Sequence, residues 1–303
     1  MPLKILITGA TSLMGERLRR LIRCETDWNT VSLVREPKKT LRLENEKLIQ
    51  CSVTDLKNLK KICYEERPDV IINTSVLFCP VACEKDHKLT WDLNVVSTEW
   101  LTSICRVIES HLILLSSEEI FPCDRGPYYI NEAPNPVGYL GKSRHAAENL
   151  VLAGVDKGTI IRLTRLFGAS APGRNNFISD WISKADKKEN IICDSNYYTN
   201  PSFTEDVALV IIRAIERKKY GIYHTGCPEW ISEFEQAKIV AREFAFENEI
   251  QAIPISKEKK PNIIKAGLVT LETEMELGVK FSHFVDALSA MRFQIIENTR
   301  IFR

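Results

Sequence analysis

The stretch KILITGATSLMGERLRRLIRC, Lys4–Cys24, reads as a strand, a glycine turn and a helix. KILIT is a short apolar run of strand length. After it, Met14, Leu18, Leu21 and Ile22 recur at helical spacing. Gly9 and Gly15 bracket the turn between them. Gly9 permits a tight bend at the strand end. Gly15 permits close packing of the helix, whose first amides then face a pyrophosphate. Ser12 stands where the common G-x-x-G-x-x-G turn has its middle glycine; it is small, and its hydroxyl can bond a phosphate. The turn predicts dinucleotide binding by Gly9, Thr11, Ser12, Leu13, Met14 and Gly15. The alternative is a tight turn of an α/β domain with no ligand.

Outward from this unit, strand and helix alternate. WNTVSLV and KLIQCSV are strands, followed by helical TDLKNLKKICYEER. DVIINTS is a strand, DLNVVSTEWLTSICRVIES a long helix, HLILLSS a strand, GKSRHAAENLVLAG a helix and TIIRLTRLFG a strand. The strands are continuous apolar runs, as buried parallel strands are. The expected fold is α/β: a Rossmann-like doubly wound parallel sheet with helices on both faces. From about Asn175 the rhythm changes. NNFISDWISKADKK, TEDVALVIIRAIERK and SEFEQAKIVAREFAF read as helices, and NIIC, YGIYHTG and AIPI as strands. The expected division is a cofactor-binding domain over residues 1–168, to which later elements return, and a smaller α/β substrate lobe over most of 169–303. The longest loop, Pro122–Pro136, is expected to be functional or mobile.

At the end of the second strand, SLVREPKK carries Arg35, Lys38 and Lys39. An acidic residue there favours NAD; a cation suits the 2′-phosphate of NADP. The expected cofactor is NADP, ahead of NAD.

Composition narrows the class. Of 303 residues, 44% are hydrophobic and 27% charged, with 41 Lys+Arg against 40 Asp+Glu. That balance gives no reason to expect nucleic acid or an anionic membrane as partner. No apolar run approaches the ~20 residues that span a bilayer. The N-terminus has no signal-peptide pattern, so a cytoplasmic protein is expected. Nine cysteines, with no C-x-x-C pair, fit reduced and mostly buried thiols. Cys79, Cys83 and His87 have a spacing that would share a helix face, but Pro80 and the lack of a second ligand pair argue against a metal.

With ILITGATSLMG, RPDVIINTS, DLNVVST, LLSSEEIF, NPSFTEDVA, YGIYHTG and the closing KKPNIIKAGLVTLETEMELGV in this order, the chain resembles an extended short-chain dehydrogenase/reductase. More narrowly, it resembles the dTDP-4-dehydrorhamnose reductase family and the regulatory β subunits of methionine adenosyltransferase. The likeness covers nearly the whole chain. It implies NAD(P)H on the first lobe, a nucleotide-sugar between the lobes and hydride transfer to a C4 ketone. It adds Ser52, Val53, Thr74, Ser75, Asn94 and Arg144 to the cofactor candidates. A tyrosine would donate the proton, a lysine four residues later would lower its pKa and hold the nicotinamide ribose, and a hydroxyl would orient the ketone.

The hydroxyl is Ser117. Against the family's Pro-x-x-x-Tyr-Gly-x-x-Lys, the segment PVGYLGKSRHAAE matches at Pro136, Gly141, Ala146 and Glu148. Leu140 then takes the tyrosine's place and Arg144 the lysine's. Leucine exchanges no proton, and arginine keeps charge but not geometry. Tyr139 and Lys142, three apart, are a substitute pair if the helix start slips by one residue at Gly138. Two functions therefore stand open. One is a reductase of a nucleotide-activated 4-keto sugar working through Ser117, Tyr139 and Lys142. The other is a cofactor-binding regulatory or scaffold subunit with a protein partner or a second copy of itself. Glu118 and Glu119 replace an acidic and aromatic pair, and either repel a diphosphate sugar or face solvent. Tyr197 and Tyr198 are expected to line the pocket or to pack. His145, His224, Trp91 and Trp100 read as packing or surface residues.

Overall fold

The computed structural model describes residues 2–37, 40–169, 176–246, 250–252 and 264–301. Lys38, Lys39, Asn175 and the expected AIPI strand beyond Ala252 lie outside the described residues.

The first half runs β1 (Lys4–Thr8), α1 (Leu13–Glu25), β2 (Asn29–Val34), β3 (Glu46–Gln50), α2 (Leu56–Glu66) and β4 (Val70–Asn73). It continues through α3 (Pro80–Lys85), α4 (His87–Trp91), a π-helical turn (Asp92–Val96), α5 (Ser97–Ile108), β5 (His111–Ser117), α6 (Tyr139–Gly154) and β6 (Gly158–Leu163). A further strand, Gly221–His224, completes a seven-stranded sheet in the order Gly221–His224, β6, β5, β4, β1, β2, β3. All its pairings are parallel. This is the doubly wound Rossmann-like fold.

A parallel sheet buries both faces, and each strand here sends alternate side chains to opposite cores. Ile5, Ile7, Ile72, Ile113, Leu115 and Ile161 meet α1 and the helix Thr204–Glu216. Leu6, Ile71, Leu112, Leu114 and Ile160 meet α2, α5 and α6. A third core joins Phe167, Phe177, Trp181, Phe203, Phe284 and Leu288 in the later half. Strand order reverses between β1 and β4, and the crevice beyond their carboxyl ends is where ligands of such sheets bind.

Two expected elements differ. The long helix from Asp92 opens with one π-helical turn, which widens the helix at Asn94. The expected strand TIIRLTRLFG breaks after Leu163. Thr164 N donates to Ser202 Oγ (3.0 Å), and Leu166–Phe167 then pairs with Ser202–Phe203. The loop Pro122–Pro136 is held along its length. Gly126 and Tyr128 amides donate to Lys265 O (2.8 Å) and Gly267 O (2.9 Å), and Tyr128 stacks on Phe121 at 4.5 Å.

Candidate functional site

At the head of the crevice, Gly9 has φ +59°, and a Cβ there would lie 2.8 Å from Ser75 N. A Cβ at Gly15 would lie 2.3 Å from Gly9 O, so both glycines are required by the close fold of the turn on itself. Ser12 caps α1: its Oγ accepts from Gly15 N (3.0 Å) and lies 3.2 Å from Thr74 Oγ1. Thr74 Oγ1 in turn donates to Thr8 O (2.6 Å). The Ser12 hydroxyl is thus engaged in the cap, rather than facing a phosphate as the sequence suggests. The Leu13 and Met14 amides begin the helix, where no intrahelical acceptor exists. Thr11 and Leu13 are half-buried on the turn, and Met14 is buried. Ser75 N donates to Thr8 Oγ1 (3.3 Å) and Asn73 Oδ1 (3.2 Å). Arg35 is exposed at the end of β2. Ser52 is exposed, bonded to Thr54 Oγ1 (2.8 Å), and Val53 beneath it is buried.

Deeper in the crevice the geometry changes. Gly138 precedes α6 as its N-cap, and Tyr139 N donates to Glu84 Oε1 (2.7 Å). A Cβ at Gly141 would lie 1.9 Å from Glu119 O and 2.9 Å from Pro136 Cβ. This contact seats α6 on the turn after β5. Leu140 is then 2% exposed, facing inward. Tyr139 turns the other way: its ring stacks on His87 at 3.8 Å and 10°, with Trp91 at 6.4 Å. Lys142 is exposed. The structure therefore does not bring Tyr139 and Lys142 together with Ser117 by any hydrogen bond among the described residues.

Arg144, the candidate for ribose hydroxyls, is fully buried. It donates through Nη1 to Leu115 O (3.2 Å) and through Nη2 to Leu77 O (3.0 Å), and stacks over Phe78 at 4.2 Å. Burial lowers the guanidinium to about 10, still protonated at neutral pH. Asn94, carried by the π-helical turn, accepts from Leu77 N (2.9 Å) and donates to Ser143 Oγ (2.9 Å). Ser117 Oγ and Arg144 Nε are buried without a partner in hydrogen-bonding geometry. The half-buried Glu119 carboxyl stands beside Ser117 and Arg144, and burial raises its pKa.

Glu118 corrects the expectation of two solvent-facing or repelling carboxylates. It is 2% exposed. Thr199 Oγ1 (2.8 Å) and Gly267 N (2.6 Å) donate to its Oε2, and Tyr197 OH lies 3.3 Å from its Oε1. Burial, helped by the Glu119 charge, pushes its pKa up to about 8 against the pull of those donors. No local spacing signals the burial of Glu118; its partners arrive from distant segments. Tyr198 packs against Trp230 in a tilted pair, with ring centroids 5.1 Å apart. His224, read as packing, is buried and lies 3.3 Å from Arg162 Nη1; burial, then the Arg162 charge, lower it to about 3. Arg162 is itself held by Glu148 through two bonds of 3.0 and 2.8 Å. Cys79, Cys83 and His87 do not share a helix, since α3 ends at Lys85 and α4 starts at His87. Among the described residues, no three His, Cys, Asp or Glu side chains are placed to hold a metal ion.

Known proteins resemble this chain along its length. Methionine adenosyltransferase 2 subunit beta of Xenopus laevis is 26% identical over 254 residues, covering 80% of this chain and 72% of that one. Two solved structures share the fold. The dTDP-4-dehydrorhamnose reductase of Bacillus anthracis, in complex with NADP, superposes with a TM-score of 0.82 at 19% identity, covering 97% and 100% of the two chains. The enzyme WbmG of Bordetella bronchiseptica, in complex with NAD, gives 0.83 at 15%, covering 98% and 95%. Beyond these single likenesses, the RmlD substrate binding domain family is matched across residues 3–295, so that sheet, crevice and later lobe all fall within one match: the chain belongs to that family.

Proposed function

We propose that the chain holds a nicotinamide dinucleotide at the carboxyl edge of β1, β2 and β4 and works as a cofactor-binding regulatory or scaffold subunit, not as a reductase. The observation that carries this is Gly141 seated on Glu119 O, which supports the ungapped register, with Leu140 in the place of the family's tyrosine and Arg144 in that of its lysine. Leu140 has no proton to give, and Arg144 turns Nη1 to Leu115 O and Nη2 to Leu77 O. The turn from Gly9 to Gly15, with Thr11, Ser12, Leu13 and Met14, would hold the pyrophosphate. Ser52 and Val53 would flank the adenine, and Thr74, Ser75 and Asn94 would shape the wall. Exposed Arg35 favours NADP over NAD. Solved relatives of this fold carry NADP or NAD, and one relative is named as a subunit of an adenosyltransferase, which supports a protein partner. Nine unpaired cysteines favour a reducing compartment, the cytoplasm. No described helix is long and apolar enough to cross a membrane.

A second reading is favoured by Ser117, whose hydroxyl is buried in the crevice beside the Glu119 carboxyl. It is reduction of a nucleotide-activated 4-keto sugar, with Ser117 orienting the ketone and Tyr139 and Lys142 supplying the proton. The test is a titration with NADPH and NADH, then addition of a 4-keto-sugar nucleotide while the absorbance of the reduced nicotinamide is followed. The expected result is saturable binding, tighter for NADPH, with no oxidation. Oxidation that disappears in Tyr139→Phe would establish the second reading instead.

A further inference from the structure

The two ends of the crevice are not equally ready for a dinucleotide. At the β1 end, nothing needs to move. The glycine turn leaves no room for side chains at Gly9 or Gly15, the first amides of α1 are free of intrahelical acceptors, and Arg35 stands in solvent. At the α6 end, Arg144, which the family pattern would turn toward a nicotinamide ribose, and the neighbouring Asn94 are held by bonds inside the protein. Arg144 bonds two main-chain carbonyls and lies flat on Phe78. Asn94 is tied to Leu77 and Ser143. Leu140 is apolar and almost wholly covered. Drawing Arg144 out to a ribose would take its Nη1 from the buried Leu115 O and its Nη2 from Leu77 O, which would keep Asn94 Nδ2 at 3.3 Å, and would strip the guanidinium from its aromatic face. The same groups that refuse catalysis therefore also refuse the nicotinamide half.

Resting on the cofactor reading above, we infer that the site recognises the 2′-phosphoadenosine diphosphate half of its ligand and leaves the nicotinamide riboside unbound. Any nucleotide with that half is then a ligand, whatever the second phosphate carries. The adenosine phosphates supply the anion for the α1 amides and for Arg35; the rest of the molecule projects past Arg144 without a partner. Binding reports the level of the nucleotide, not its redox state.

Isothermal titration of the full chain with NADPH, with 2′-phospho-ADP-ribose and with nicotinamide mononucleotide tests this. The first two should bind with dissociation constants within about threefold of each other, well under the tenfold of one firm contact. The mononucleotide should show no heat. As an independent readout, the fluorescence of bound NADPH should keep the emission maximum and intensity of the free cofactor, because its nicotinamide stays in water. NADPH binding tenfold or more tightly than 2′-phospho-ADP-ribose, or a blue-shifted and enhanced emission, would overturn the inference while leaving the cofactor reading intact. No binding of either adenine nucleotide would remove the cofactor reading itself, and this inference with it.

Discussion

The turn at Gly9–Gly15 and the helix start at Gly138–Arg144 open onto one crevice, and each is fixed by a glycine with no space for a side chain. In the first, the backbone itself is what a ligand would meet, so satisfying the packing also prepares the binding surface. In the second, packing fixes only where the side chains are carried. Gly141 holds the helix on Glu119 O, yet what it presents is Leu140 and a turned-in Arg144. A framework can therefore keep its geometry while its chemistry is exchanged, wherever function resides in side chains rather than in main-chain amides.

The sharpest way to break the second region is to unseat its helix from beneath. Glu148→Ala would leave Arg162 buried and uncompensated between α6 and β6, a loss of about 3–5 kcal/mol in urea unfolding. Next, Gly141→Ala forces a Cβ against a carbonyl and should cost up to ~3 kcal/mol. Gly138→Ala, whose Cβ would meet only the end of the Glu84 side chain at 3.4 Å, should cost less than ~1 kcal/mol. Equal effects would mean that Gly138, not Gly141, sets the register.

A smaller effect probes the carboxyl between the regions. Glu118 is raised by burial from 4.5 to about 8, so the folded state binds a proton that the unfolded state releases. Its contribution is fully present below about pH 4.5 and is lost progressively as pH rises toward 8. Glu118→Gln should flatten that part of the profile and stand furthest above the parent near pH 8. The smallest effect belongs to the first region: Arg35→Ala should weaken NADPH about fivefold, roughly 1 kcal/mol, and leave NADH unchanged. An equal loss for both would move Arg35 away from the 2′-phosphate.

These contrasts follow what was legible in the sequence. The sheet was readable because seven apolar runs sit between amphipathic helices, and the phosphate turn because Gly9 and Gly15 act within a few residues of each other. The burial of Leu140 and Arg144 agrees with the ungapped register. The orientation of Tyr139 was not readable, since it depends on His87 arriving from a separate helix. The bonds of the Ser12 hydroxyl were not legible, because its partner Thr74 comes from the segment after β4. The break after Leu163 depends on Ser202, and the burial of Glu118 on Thr199 and Gly267. Pattern within a window shows periodicity; it does not show which remote donor will close on a given side chain.

The bond from Gly267 N to Glu118 spans 149 residues. During synthesis, β1 to β6 are complete by Leu163, and the edge strand follows with His224. The inner wall of the crevice is still unfinished then, because Glu118 lacks the amide that emerges only with the last segment. The ribosome therefore releases the glycine turn early and the wall late, and a chain stopped short of Gly267 would carry a nearly whole sheet beside an acid deprived of its closest donor.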